Sequence, residues 1–248
     1  MSRTRIAFFD VDGTLTTATT IFRFLRHFLS ATGHPPHVYE QRRQRLKAMT
    51  DMGLPREETN RAYFDSYRGA DVAEVERLAR EWFDAELRAG GLFHPYALAA
   101  LREHRADGDL VMLVSGSFPA CLAPVAAHCG ADETWCTLPE IVDGVYTGGL
   151  TRTPMIGKAK ADALLAAASA HRVPPEHCVA YGDHVSDLPM LQAAGTAVVV
   201  GGDDHLRAVA RLRSWRLLPG APSARQLPLP SSSASPSSST PSTPSPSL

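Results

Sequence analysis

The chain has 248 residues, enough for one large domain or a core with a smaller companion, and its hydrophobic fraction of 44% is that of an ordinary globular protein. A formal net charge of -1 gives no electrostatic basis for binding nucleic acid or an anionic membrane. No apolar run approaches the roughly 18 residues of a membrane span and the amino terminus shows no signal-peptide pattern, so a cytoplasmic location is expected.

In chain order, Ile6 to Phe9 is a short apolar run read as a first strand, closed by a turn at Gly13. Residues 20–31 then place Ile21, Phe24, Leu25, Phe28 and Leu29 at helical spacing, and residues 38–50, 55–68 and 71–89 also read as helices. The last of these carries Val72, Val75, Leu78, Trp82 and Phe83 on one side. With no strand among them, these segments form a helical insertion before a core helix near 94–107. Leu110 to Val114 reads as a buried strand ending in Ser115-Gly116-Ser117, followed by a helix from Pro119 to Cys129. A hairpin over 141–148 precedes a helix over 157–171, a strand at 178–181, a helix starting near Asp187 and a strand over 197–200. The last helix starts at Asp203 or Asp204, either of which can cap it. Strands alternating with helices predict an α/β fold, a Rossmann-like parallel sheet covered by helices on both faces.

The cysteines Cys121, Cys129, Cys136 and Cys178 show no C-x-x-C pairing and are expected as buried free thiols. The run Gln41-Arg42-Arg43-Gln44-Arg45 reads as a solvated helix face, and Trp82, Trp135 and Trp215 read as core. From 228 to 248, 18 of 21 residues are Ser, Thr or Pro and none is charged, so a disordered tail is expected over 222–248.

Two acidic pairs carry the chemistry. Asp10 and Asp12 directly follow the first strand in Asp10-Val11-Asp12-Gly13-Thr14, and Asp183 and Asp187 directly follow the strand at 178–181. If those strands are parallel neighbours, all four carboxylates gather at one sheet edge. An oxygen-rich cluster of this kind suits Mg2+, which takes a few carboxylates and keeps places for water and substrate phosphate. One carboxylate can then act as a nucleophile and another can handle protons. Of 25 basic residues only Lys47, Lys158 and Lys160 are lysines, so a retained lysine is a candidate for a task arginine does not do.

Taken in order, D-x-D-G-T at 10–14, the hydroxyl of Ser115 after a strand, lysines at 158 and 160, and G-D-x-x-x-D at 182–187 closely resemble the haloacid dehalogenase-like hydrolase superfamily, in its phosphoserine phosphatase-like branch. The resemblance covers residues 5–218. It implies a phosphatase core over 1–16 and 92–221 and a small helical cap over 17–91. It further implies hydrolysis of a small-molecule phosphomonoester through an aspartyl-phosphate, with Mg2+. Asp10 would be the nucleophile and a metal ligand. Asp12 would be the general acid and then base, its backbone carbonyl a further ligand. Ser115 and the Gly116 amide would hold the phosphoryl oxygens; Thr14 would support the first loop and is grouped with the phosphate-binding residues. Asp183 would bind the metal, and Asp187 would join it or orient its waters. Lys160, with Leu164 four residues on, fits the lysine better than Lys158, which stays open. His184 is expected at the surface or behind the ligands.

Alternatives remain open at this point. A phosphomutase or phosphotransferase acting on a sugar phosphate shares the D-x-D pair, and a silent phosphate-ligand sensor would use the fold without turnover. One departure bears on substrate: where phosphoserine phosphatases carry a glutamate nine residues after the nucleophile, this chain has Thr19. A hydroxyl cannot pair with the ammonium of phosphoserine, so a neutral or anionic sugar, polyol or nucleoside phosphate is expected instead. Arg23, Arg61 and Arg68 are candidates for contacts to extra oxygens, and Glu57 or Glu58 would be the substitute acids.

Overall fold

The computed structural model describes residues 5–220. The tail expected over 222–248 lies outside them. Eight strands and nine α-helices follow in the order β1 (Ile6–Phe9), α1 (Thr20–Ala31), α2 (Pro36–Asp51), α3 (Arg56–Phe64), α4 (Val72–Ala89), α5 (Pro95–Ala106), β2 (Leu110–Ser115), α6 (Pro119–Cys129), β3 (Glu133–Cys136), β4 (Pro139–Val142), β5 (Val145–Leu150), α7 (Lys158–Ala170), β6 (Cys178–Gly182), α8 (Leu188–Ala193), β7 (Thr196–Val200), α9 (Asp204–Leu212) and β8 (Arg216–Leu218). Six strands make one sheet in the order β3-β2-β1-β6-β7-β8, with every pair parallel, while β4 and β5 form a separate antiparallel hairpin.

The strand period of two divides the core between the faces of this sheet. Ala7 and Phe9, Val111 and Leu113, Val179 and Tyr181, and Val198 and Val200 join one buried cluster. The residues between them, Ile6 and Phe8, Met112 and Val114, Cys178 and Ala180, and Ala197 and Val199, join the other, beneath α7, α8 and α9. Apolar runs without polar alternation are what a sheet covered on both faces requires, and each large side chain so buried stabilises by roughly 1.5–3 kcal/mol.

The first cluster runs on without a break into the inserted helices. Phe24 and Tyr67 of the insertion meet Phe118 beside α6, with ring centres 6.0 and 5.1 Å from that of Phe118, and Trp82 packs on Phe24 at 5.7 Å. The hairpin also seats on the insertion: Gly69 N donates to Tyr146 O at 2.8 Å and Val72 N to Gly144 O at 2.9 Å. Its two-residue turn, Asp143-Gly144, has both φ angles positive, at 50° and 78°, as a turn matching strand twist demands.

Two strands escape the sequence reading. β3 and β8 are the sheet's edges, short and only partly buried, so neither presents an apolar run. Trp135 and Trp215 are half-buried at the margin of the second cluster rather than within it, whereas Trp82 is core. All four cysteines are buried free thiols. No helix among the described residues is long and apolar enough to cross a membrane.

Candidate active site

Because β1, β2 and β6 run parallel with Phe9 level with Leu113 and Tyr181, the residues that follow them emerge at the same edge. Asp10 N donates to Tyr181 O at 3.0 Å, holding the start of the loop against β6. The loop then closes on itself: Val11 O accepts from Leu15 N at 3.0 Å and from Thr16 N at 2.8 Å. Gly13 sits at φ +94°, and a Cβ there would lie 2.3 Å from Asp183 Oδ2. The glycine is what lets the two acidic loops approach. Gly182 does the same for the second pair, since a Cβ on it would lie 2.6 Å from that of Asp187.

Asp10 is buried at 5% exposure. Lys160 Nζ donates to Asp10 Oδ1 at 2.5 Å and to Asp187 Oδ1 at 2.6 Å, bridging carboxylates 177 residues apart in the chain. Lys158 instead points to solvent, 83% exposed, and pairs with Asp162. The two lysines stand two residues apart on α7, so they face different ways. Asp187 is buried as well, and its Oδ2 accepts from Asp183 N at 3.2 Å and His184 N at 3.1 Å. Thr14 is wholly buried, with its hydroxyl 3.1 Å from Asp10 Oδ2 and 2.9 Å from Asp183 Oδ1. It faces the carboxylates and does not line the cavity.

Asp12 points the other way, toward the insertion. Its Oδ1 accepts from Thr20 N at 2.7 Å and Thr20 Oγ1 at 2.6 Å, at the first turn of α1, where Thr19 supplies no side-chain cap. Burial pushes the Asp12 pKa up, against the pull of the Thr20 hydrogen bonds. At Asp10, burial raises the pKa, Lys160 lowers it, and Asp187 and Asp183 raise it again, leaving it well above the carboxylate range. Asp183 is pushed up to about 6 by burial and by Asp187. Burial alone would lower Lys160, but Asp10 and Asp187 outweigh it and hold the ammonium charged.

Asp10, Asp183 and Asp187 each offer a carboxylate oxygen, all within 4.8 Å of one another. Burial raises Asp10 and Asp183 first, and the excess of three carboxylates over one ammonium adds to it. An all-oxygen set with that excess fits a hard divalent cation.

Above the cluster lies a cavity of about 430 Å3, in the size range of small-molecule sites. Asp10, Asp12, Ser115, Gly116, Lys160, Asp183 and Asp187 reach it from the sheet edge. Ser115 is 1% exposed and its Oγ accepts from Ser117 N at 3.0 Å, which leaves the hydroxyl proton available. Thr19, Phe22 and Tyr63 close the cavity from the insertion.

Two residues that the sequence gave no reason to single out tie the insertion to this edge. Asn60 on α3, 7% exposed, donates to Gly116 O at 2.9 Å and accepts from Thr137 Oγ1 at 3.3 Å. Arg56, the first residue of α3, bonds His184 Nδ1 at 2.8 Å and Ser186 Oγ at 3.1 Å. Ser186 N donates to the same His184 Nδ1 at 3.0 Å, so the ring is neutral with its proton on Nε2; burial and Arg56 both lower its pKa. The arginines expected to meet extra oxygens lie elsewhere. Arg23 pairs with Glu86, Arg68 with Asp65, and neither they nor Arg61 line the cavity. Neither Glu57 nor Glu58 lines it either.

Comparison with known proteins places the chain in a family. Residues 7–192 match the family model described as haloacid dehalogenase-like hydrolase. Phosphoserine phosphatase SerB1 of Mycobacterium tuberculosis is 30% identical over 225 residues, covering 86% of this chain and 70% of that protein. A crystal structure of a protein of unknown function from Bordetella pertussis Tohama I superposes with a TM-score of 0.78 at 25% identity, covering 88% of this chain and 99% of the other. A substrate-bound phosphoserine phosphatase complex shares the fold, with a TM-score of 0.65 at 19% identity over 88% of this chain and 94% of its own. The chain belongs to the haloacid dehalogenase-like hydrolase family, in its phosphoserine phosphatase-like branch, and is a phosphatase.

Proposed function

We propose that the protein hydrolyses a small-molecule phosphomonoester through an aspartyl-phosphate on Asp10, with Mg2+ as the cation. The observation that carries this reading is the Lys160 ammonium, 2.5 Å from Asp10 Oδ1 and 2.6 Å from Asp187 Oδ1, on the floor of a cavity that also opens on Asp12 and Ser115. A buried lysine so placed neutralises charge between the nucleophile and the transferring group.

An Asp10 oxygen attacks phosphorus in line, the bond from phosphorus to the leaving oxygen breaks, and Asp12 gives that oxygen its proton. Burial keeps the Asp12 carboxyl above its ordinary pKa, which suits an acid that must hold a proton near neutrality. Asp12, now ionised, takes a proton from water. The resulting hydroxide attacks phosphorus and breaks the bond to Asp10, freeing phosphate and regenerating both groups. The Ser115 hydroxyl and the Gly116 amide donate to the phosphoryl oxygens. Asp10, Asp183 and the Asp12 carbonyl would hold Mg2+, and Asp187, which also positions Lys160 and the Asp183 loop, would join them or orient the waters of the cation. When bound, the cation supplies neutralisation of the carboxylates and of the phosphoryl oxygens. Thr14 aligns Asp10 with Asp183.

In this reading residues 17–91 are the cap over a core of 1–16 and 92–221. The cap wall supplies Thr19 and no carboxylate, since the acids on the cavity are Asp10, Asp12, Asp183 and Asp187 alone among the described residues. A substrate ammonium would have no partner away from the reacting centre, so phosphoserine is a poor substrate and a neutral or anionic phosphomonoester a better one. The test is release of inorganic phosphate from an aryl phosphate with Mg2+ and its loss with EDTA, together with mass spectrometry of Asp12→Asn. That variant should accumulate protein heavier by one phosphoryl group, and Asp10→Asn should not. Full turnover by Asp10→Asn, or an isomerised sugar phosphate as product in place of free phosphate, would overturn the reading.

A further inference from the structure

The cap helix α2 turns an unusual stripe toward the cavity. Arg43, Leu46, Lys47 and Thr50 all line it, at the i, i+3, i+4, i+7 spacing of one helix face. Leu46 is buried, whereas Arg43, Lys47 and Thr50 are exposed, so two cations border the cavity on its solvent side. Arg43 belongs to the basic run read from sequence as a solvated face. Its guanidinium lies 5.0 Å from the centre of the Phe22 ring and has no carboxylate partner among the described residues. Lys47 is one of only three lysines in the chain, and a second, Lys160, lies on the floor of the same cavity. Its bond to Asp51 joins two side chains that are 74% and 59% exposed, a pairing that water screens and a ligand can replace. Arg56, the other cation on the wall, is engaged by His184 and Ser186.

Ile21, Phe22 and Leu46 line the same cavity, Phe22 directly under the Arg43 guanidinium. One cavity thus combines the acidic cluster with its lysine, an apolar patch and two cations of α2.

We propose, building on the phosphatase reading above, that the leaving group of the substrate carries a second anionic group, held by Arg43 and Lys47, across an apolar or ring-shaped body that lies on Phe22 and Leu46. Arg43 can present a planar fork to a carboxylate or phosphate while its other face rests on the Phe22 ring, and Lys47 adds a point charge one turn along. The substrate class is a bis-anionic phosphomonoester, and the chemistry excludes esters of simple amino alcohols.

The experiment uses the full chain with Mg2+ and three acids, 3-carboxyphenyl, 4-carboxyphenyl and 4-(carboxymethyl)phenyl phosphate, each paired with its neutral amide. Each amide matches its acid in shape, so the ratio of kcat/KM within a pair reports the second charge. At least one acid should exceed its amide by about tenfold, the joint worth of two screened ion pairs, through KM rather than kcat. Arg43→Ala/Lys47→Ala should bring that ratio to near one, whereas Arg42→Gln, which removes a charge from the same helix away from the cavity, should preserve it. Ratios near one for all three pairs in the unmodified protein, or a preference that survives the double variant, would overturn the proposal. Turnover of no ester at all would refute the phosphatase reading instead, so the two failures are told apart.

Discussion

Replacing Lys160 by alanine removes a side chain only 5% exposed that bridges the buried carboxylates of Asp10 and Asp187. Breaking a buried pair from one side leaves uncompensated charge, at a cost of about 3–5 kcal/mol. In a chain of this size that lowers Tm by about 10 °C. Lys158→Ala removes an exposed i,i+4 pair with Asp162, worth about 0.3–0.5 kcal/mol, and should shift Tm by about 1 °C. The catalytic consequence is larger still. Loss of a charge-stabilising donor at the transferring group costs about 10²–10³ in kcat, so Lys160→Ala should fall at least that far while Lys158→Ala stays within about twofold. Turnover of an aryl phosphate would be measured at 15 °C, where circular dichroism verifies that both variants are folded, alongside urea titrations for stability. Activity of folded Lys160→Ala within threefold of the parent, or equal losses in the two variants, would refute the assignment of the phosphoryl-binding lysine.

Two further outcomes follow from the acids and the inserted helices. In the metal-free protein Asp183 titrates at about 6, above its ordinary value, so its contribution to stability is fully present below the unfolded carboxylate pKa and is lost as pH rises through 6. Mg2+ needs the ionised form, so saturating Mg2+ should raise Tm by about 5–10 °C at pH 7.5 and by much less at pH 5; a shift independent of pH, measured by calorimetry against EDTA-treated protein, would contradict this. Thr19→Glu places a carboxylate on the cavity wall and should raise kcat/KM for phosphoserine relative to a neutral phosphomonoester by about tenfold, whereas an unchanged ratio would show that position 19 does not face the substrate's amine.

Much of the molecule is legible in one dimension. Uninterrupted apolar runs such as Ile6–Phe9 and Leu110–Ser115 can be stable only with both faces covered, and a parallel sheet then forces Asp10, Ser115 and Asp183 to one edge whatever lies between them. The two acidic motifs bring their own glycines, because the carboxylates meet only where no Cβ intervenes. What the tertiary structure alone decides is which polar side chains meet across the fold. The edge strands β3 and β8 pair on one side only and are only partly buried, so their residues show no run to detect. Lys158 and Lys160 sit in an alanine-rich helix with no pronounced apolar stripe, and only its docking on the sheet sends one to Asp10 and the other to water. Arg56 and Asn60 look like any polar residues on a surface helix until α3 folds over the sheet edge and sets them against Ser186 and Gly116, 130 and 56 residues away. Arg43 is exposed, as a solvated face over 41–45 requires, and only the tertiary structure shows that it and Lys47 also border the cavity, because periodicity reports which residues share a helix face but not what that face meets.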